Sequence, residues 1–66
     1  MAYYQCFKTK TRNVYCSSYK VKNHTEGAAW VREALAHFEL KGSDILGKPY
    51  ESDDIPRGAT TFPDED

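Results

Sequence analysis

The sequence predicts a single small α+β domain: a β-hairpin, with or without a short third strand, packed against one amphipathic α-helix and followed by an acidic C-terminal tail. Two segments, 3–9 and 14–21, are rich in aromatic, β-branched and threonine residues, which favour strands. A later segment, from about residue 24 or 26 to residue 41, places apolar residues at helical spacing. The chain has 66 residues and can support only one thin core, which leaves little room for a catalytic cleft.

Alternation along the two strands assigns their side chains to two faces. The odd-numbered positions form an apolar face, which we expect to be the core face: Tyr3, Phe7, Tyr15, Tyr19 and Val21. The even-numbered positions form a mixed and basic face: Tyr4, Cys6, Lys8, Lys10, Val14, Cys16, Ser18, Lys20 and Lys22. The hairpin therefore has one face for the helix and one face left over.

The same alternation constrains the hairpin loop. Odd positions pair with odd positions only when the loop has an odd number of residues. A three-residue loop fits, either Thr11-Arg12-Asn13 with Asn13 in the left-handed conformation, or the three residues starting one position earlier. The earlier register places Cys6 opposite Cys16, and the later one makes them diagonal neighbours. We expect free thiols, because no secretory signal is visible and the compartment is then cytoplasmic and reducing.

The predicted helix has a start, an end and an apolar stripe. Asn23 or Thr25 can cap its first turn, and Gly42 is placed to end it in a left-handed conformation. The stripe consists of Val31, Ala34, Leu35 and Phe38, flanked by Trp30 on one side and Ala28 on the other. We expect Trp30 to be a core residue, because an aromatic at helical spacing usually faces inward.

Charge divides the chain into two parts. Residues 1–42 carry seven Lys/Arg and three Glu, whereas residues 43–66 carry two Lys/Arg and seven acidic residues. Prolines and glycines interrupt the second part, although 45–50 can add a third strand or a loop and 59–62 an edge strand. We therefore divide the chain into a ββα domain over 1–50 and an acidic segment over 51–66 that is partly disordered or binds a partner.

No combination of residues predicts catalysis, a cofactor or a metal. Nine residues separate Cys6 from Cys16, and twelve separate His24 from His37, which does not fit a zinc finger. No glycine elbow precedes a serine, and no glycine-rich phosphate loop opens the helix. The sequence therefore predicts a protein that is not an enzyme.

Nucleic-acid binding is the second of two functions that the sequence allows. The basic hairpin face and its loop offer cations beside one aromatic ring: Tyr4, Lys8, Lys10, Arg12, Lys20 and Lys22. Such a surface suits a phosphate backbone with a stacked base. The net charge of −1 and the acidic C-terminal segment oppose it.

Protein binding is the function that the sequence favours. Ala29, Ala36 and Leu40 form an apolar strip on the helix face opposite the core, and Glu51, Asp53 and Asp54 suit a basic partner. Unpaired strand edges also allow a homodimer.

These observations combine into a functional expectation. We expect a small non-enzymatic interaction module that binds, and inhibits or modulates, a cytosolic macromolecule and does not enter a membrane. A hairpin followed by a helix that opens near Thr25-Glu26 is similar to small phage proteins that inhibit host enzymes. Small acidic-tailed domains of this kind are common among accessory proteins of phages and mobile elements, so we expect such a role and assign no family.

Overall fold

One α-helix packs on a four-stranded mixed sheet in the computed structural model, which describes residues 2–63. The strands are β1 (Tyr4–Lys8), β2 (Val14–Ser17), β3 (Tyr50–Ser52) and β4 (Thr60–Phe62), and the helix is α1 (His24–His37). A single 3-10 turn, Gly42–Asp44, follows α1 within these residues. The α+β class is confirmed, but the sheet has two strands more than the predicted hairpin.

The strand order is β3-β1-β2-β4. β1 pairs antiparallel with both β2 and β3, whereas β4 runs parallel to β2. The two central strands therefore come from the hairpin, and both outer strands come from the C-terminal quarter of the chain. The boundary predicted after residue 50 falls inside β3, and the acidic residues 64–66 lie outside the described residues. Pairing with β1 and β2 is what gives these short, proline-flanked segments strand structure.

The hairpin has the earlier of the two predicted registers. Cys6 lies opposite Cys16, and the loop consists of residues 10–12. Arg12 takes the left-handed conformation, with φ 69°, so the prediction that Asn13 takes it was wrong. Asn13 instead belongs to the ladder, since its carbonyl accepts a hydrogen bond from the Thr9 N–H at 2.8 Å and its own N–H donates to Thr9 Oγ1.

The core lies between α1 and the odd-numbered face of the hairpin. Phe7, Trp30 and Ala34 are buried at its centre, and seven partly buried residues surround them: Tyr15, Val31, Leu35, Phe38, Leu40, Ile45 and Phe62. The prediction that Trp30 is a core residue is confirmed, since its side chain is 1% exposed. Its indole N–H also donates to the carbonyl of Phe62 at 2.6 Å, which ties α1 to the edge strand β4.

The prediction for Tyr19 was wrong, because its side chain is exposed. β2 ends at Ser17, whose hydroxyl accepts from the Gln5 N–H and donates to the Tyr19 carbonyl. The chain then bulges away and rejoins β1 where Val21 pairs with Tyr3. Cys6 is three residues from Tyr3, whereas Cys16 is five residues from Val21, so the second strand has two extra residues between these two pairs. The two extra residues break the alternation that placed Tyr19 inside.

The helix starts where the sequence predicts and ends earlier. Asn23 caps it by accepting a hydrogen bond from the Glu26 N–H at 2.9 Å. The last helical residue is His37, and Glu39 takes the left-handed conformation with φ 57°. The Leu40 N–H then donates to the Leu35 carbonyl at 2.7 Å, which closes a Schellman motif. Gly42 was therefore wrongly predicted as the stop, and it opens the 3-10 turn instead.

Candidate interaction surface

The sheet has one face that α1 does not cover. Because Phe7 points towards α1, the even-numbered hairpin residues point away from it. The strand registers place residues of both outer strands on the same side: Tyr50 pairs with Cys6, Cys6 with Cys16, and Cys16 with Thr61. We call this surface the open face and define it as Tyr4, Cys6, Lys8, Val14, Cys16, Tyr50, Ser52 and Thr61.

The centre of the open face is apolar. Tyr50 is 40% exposed, while Tyr4, Val14 and Thr61 are half-buried. Cys6 and Cys16 lie between these larger side chains and are completely buried. The predicted even-numbered face was mixed and basic, because the hairpin alone did not reveal the outer-strand residues that flank the thiols.

The two thiols are held in their neutral form. Burial raises the pKa of the Cys6 thiol to about 12, with further contributions from a hydrogen bond to Cys16 and from its charge. Burial also raises the pKa of the Cys16 thiol, although the hydrogen bond with Cys6 acts in the opposite direction. The pKa of Tyr50 is raised by burial and then by the charges of Cys6 and Cys16. The centre of the open face is therefore uncharged at neutral pH.

The predicted nucleic-acid-binding residues are divided between the open face and its surroundings. Tyr4 and Lys8 lie on the open face, and the Lys20 ammonium lies over the Tyr4 ring, 5.7 Å from its centroid. Lys10 and Arg12 are exposed in the hairpin loop, and Lys22 is exposed next to the helix cap. The structure therefore brings together Tyr4 and Lys20, and it places Lys8 on the same face at the other end of β1.

The predicted apolar strip on the back of the helix is smaller than expected. Ala29 and Ala36 are exposed on α1, but Leu40 follows the helix and packs against the core. The placement of Leu40 in the strip was wrong, because the left-handed Glu39 turns the chain back towards the sheet before residue 40. Two isolated methyl groups remain on this side, and they make a weak docking surface.

The acidic residues predicted to bind a partner lie on and beside β3. Glu51 is in β3, and Asp53 and Asp54 are exposed directly after it. Ser52 precedes them, and its hydroxyl donates to the Asp54 carbonyl. Asp53 and Asp54 therefore border the open face at the end where Ser52 pairs with Tyr4.

A cavity of about 410 Å³ opens on the helix side of the sheet. Its lining includes Gln5, His24, Ala28, Val31, Pro49 and Glu51. His24 Nδ1 lies 3.7 Å from Glu51 Oε2 and 3.5 Å from the Tyr3 hydroxyl. The imidazole is 91% exposed, so this pair is a solvated one of small energetic value. Sequence reasoning missed the cavity, since only the β1–β3 pairing brings Glu51 to His24.

Among residues 2–63 no group of three or more His, Cys, Asp or Glu side chains is arranged to hold a metal ion. The only helix in that range is too short and too polar to cross a membrane. No protein-family model matches the chain, and no similar curated protein or solved structure is found.

Proposed function

We propose that this protein is a small non-enzymatic interaction module that binds a cytosolic protein through the open face of its sheet. The observation that carries the proposal is the row from Tyr50 through Cys6 and Cys16 to Thr61, which lies on the sheet face opposite α1 and is exposed at Tyr50. An exposed sheet face normally carries alternating polar residues. An aromatic and apolar one marks a surface that another molecule covers.

The side chains of the open face suit protein recognition. Tyr4 and Tyr50 offer rigid rings with a polar tip, and tyrosine is enriched among the residues that dominate binding energies. Tyr50 is held from both sides, because its backbone pairs with Cys6 and its carbonyl accepts a hydrogen bond from the Gln5 amide at 3.2 Å. The backbone that carries this ring is therefore already ordered before binding, which lowers the entropic cost of association.

The lysines on and beside the open face favour a partner that presents a local acidic group to Lys8 or Lys20, whereas Asp53 and Asp54 at the border oppose a continuous run of negative charge. Lys8 lies on the face and Lys20 lies over Tyr4, whereas none of the described residues that define the face is a carboxylate. An acidic group that meets either ammonium at the rim would guide the encounter and fix its orientation. A partner that covers the apolar centre and pairs acidic groups with both lysines would complement the whole open face.

The buried thiols support a role without catalysis. A cysteine acts as a nucleophile through its thiolate, and the raised pKa of Cys6, about 12, keeps this thiol protonated. The hydroxyl of Ser17 is occupied by Gln5 and Tyr19. A protein of this kind acts on its partner by occupying a surface, so we propose that it inhibits or modulates a cytosolic macromolecule, in the manner of a phage or mobile-element accessory protein.

Single-stranded nucleic acid is the second candidate, and the contact between Lys20 and Tyr4 favours it. A base could stack on a tyrosine ring while the lysines contact phosphates. We rank it below a protein partner because Asp53 and Asp54 border the same surface and would repel phosphate. Lys10, Arg12 and Lys22 also lie away from the two rings.

The test is affinity capture from nuclease-treated lysate with matched variants. Lys20→Glu and Tyr50→Ser change the open face, and Ala36→Glu changes an equally accessible position on the helix. We expect a specific protein that the wild type and Ala36→Glu retain and that both open-face variants lose. Loss with Ala36→Glu alone would place the binding surface on α1 and contradict the proposal.

The same experiment separates the other occupants of the open face. If capture succeeds only from lysate that has not been treated with nuclease and weakens as the salt concentration rises, the second candidate is correct. Two phosphate contacts, by Lys8 and Lys20, would give a log–log slope of about −1.4 on single-stranded nucleic acid. If the protein alone sediments as a dimer that Tyr50→Ser dissociates, the occupant is a second copy of the chain.

A further inference from the structure

We propose that Cys6 and Cys16 form a redox-active dithiol, which a low-molecular-weight disulfide such as oxidised glutathione converts into a reversible cross-strand disulfide between β1 and β2. This inference concerns the thiols alone and does not depend on the proposed function.

The position of the pair within the ladder carries the inference. The Thr9 N–H donates to the Asn13 carbonyl at 2.8 Å, and hydrogen-bonded pairs alternate along an antiparallel ladder. Phe7–Tyr15 is therefore hydrogen-bonded, and Cys6–Cys16 is the next, non-hydrogen-bonded pair. Cα atoms in such pairs are about 4.5 Å apart, within the range of about 4.4–6.8 Å that disulfides span. The two Cβ atoms need to approach by less than about 1 Å.

For each of the two sulfurs, the other sulfur is the one suitable partner for a disulfide nearby. Both cysteines are completely buried on the open face, and the S–H of Cys6 has only a long contact, 3.8 Å, to the Tyr4 carbonyl. Tyr50 is the β3 neighbour of Cys6 on the same face of the sheet. Because both thiols are completely buried, oxidants reach the pair only when the side chains around it or the short edge strand β3 move away.

The reaction balances with two equivalents of thiol released. Burial keeps both thiols protonated while the sheet is closed, so each reacts after β3 has opened and solvent has reached it. Cys16 then loses its proton, and its thiolate attacks one sulfur of oxidised glutathione and expels one glutathione thiolate. Cys6 loses its proton in turn and attacks the Cys16 sulfur of the mixed disulfide, which expels the second glutathione. The protein loses two hydrogen atoms and two electrons, and one glutathione disulfide becomes two molecules of glutathione. Excess reduced glutathione reverses both steps.

The experiment uses the reduced full-length chain. It is incubated with oxidised glutathione, treated with N-ethylmaleimide and weighed by mass spectrometry. We expect a monomer that has lost two hydrogen atoms, carries no glutathione and takes up no maleimide. The Tyr50→Ala variant should reach the same product several-fold faster, because the large side chain next to Cys6 on this face is then absent. The Cys16→Ala variant is the control and should not form this product.

Other products would overturn the inference. A persistent glutathione adduct, a disulfide-linked dimer, or two free thiols in both the wild type and Tyr50→Ala would show that the strands do not allow closure.

The melting temperature gives a second, independent readout. Closing this short loop should raise the melting temperature by about 10–20 °C in the chain-entropy model. An oxidised monomer that melts no higher than the reduced one would contradict the placement of the bond in the native register.

Discussion

At the scale of single residues, the thiols of Cys6 and Cys16 couple stability to pH. Burial raises the pKa of Cys6 from 9.0 to about 12, and it also raises the pKa of Cys16. Both thiols therefore stay protonated in the folded protein at a pH where the unfolded chain already ionises them. Their contribution to stability is complete below about pH 9 and is lost as the pH rises towards 12.

We therefore predict a fall in the free energy of unfolding between pH 9 and 11 that depends on these two residues. Urea denaturation across this range, with thiols kept reduced, measures it. The Cys6→Ala/Cys16→Ala double variant should show a smaller slope than the wild type. Equal slopes in the two proteins would mean that the thiols ionise as easily in the folded state as in the unfolded chain.

Gly27 is a buried position of α1 that lies against the side chain of Gln5 in β1. A Cβ built there would collide with the side-chain amide of Gln5, whose Cδ is 3.2 Å away. We predict that Gly27→Ala destabilises the protein by about 1 kcal/mol, because displacing Gln5 outweighs the gain in helix propensity. In a Gln5→Ala background the same substitution should become neutral or stabilising. A loss of stability that is equal in both backgrounds would contradict this contact.

Trp30 stabilises the fold through the burial of its ring and through the hydrogen bond that its indole N–H donates. Truncation to Ala should cost about 3–5 kcal/mol and largely unfold a domain of this size. Trp30→Phe removes the indole N–H that donates to Phe62 and leaves a smaller ring in the core. The Phe62 carbonyl still accepts from the Ser18 N–H at 3.2 Å, so we expect the lost hydrogen bond to cost about 1 kcal/mol and the lost ring volume to add to that cost. Amide exchange should accelerate in β4 more than in β1, and uniform acceleration would show that Trp30 does not anchor β4.

At the scale of elements, the end of α1 stores strain in Glu39. A residue with a Cβ is unfavourable at φ 57°, and glycine removes that cost. We predict that Glu39→Gly stabilises the protein by about 0.5–1 kcal/mol in urea denaturation. Glu39→Ala retains the Cβ and serves as the control, with no gain expected. A glycine variant that is no more stable than the alanine variant would place the helix end elsewhere.

The two hairpin strands and the helix could be predicted because their signals are local. The parity of the apolar residues required an odd loop, and Asn23, which caps the helix, was one of the two caps that the sequence offered. The outer strands β3 and β4 have three residues each, and their partners lie far away in the sequence. Nothing near Tyr50 indicates that it will pair with Cys6, 44 residues earlier. The loop and helix ends were missed because Arg12 and Glu39 take left-handed conformations that the surrounding ladder and turn impose.

The open face could be predicted only in part, because it also depends on strand pairs that are far apart in the sequence. Alternation correctly placed Tyr4, Cys6, Lys8 and Cys16 on one side of the hairpin. Tyr50 and Thr61 could not be added without the registers of the outer strands, so the face was expected to be more basic than it is. Leu40 was assigned to the wrong surface because the helix was expected to continue beyond it.

At the scale of the whole molecule, the helix covers only half of a four-stranded sheet. The three central core residues, Phe7, Trp30 and Ala34, all lie on the covered side. The other side presents Tyr50 and Tyr4 above two buried thiols, bordered by lysines. The central claim is that a partner covers this side.

Hydroxyl-radical footprinting of the protein with its captured partner tests that claim most directly. Tyr50 is 40% exposed on the open face, and the side chain of His24 is 91% exposed on the helix side. Both react with radicals in the free protein, so each reports on one side of the sheet. We predict that the partner protects Tyr50 and leaves the oxidation of His24 unchanged. Protection of His24 with no change at Tyr50 would place the partner against the helix side and contradict the account.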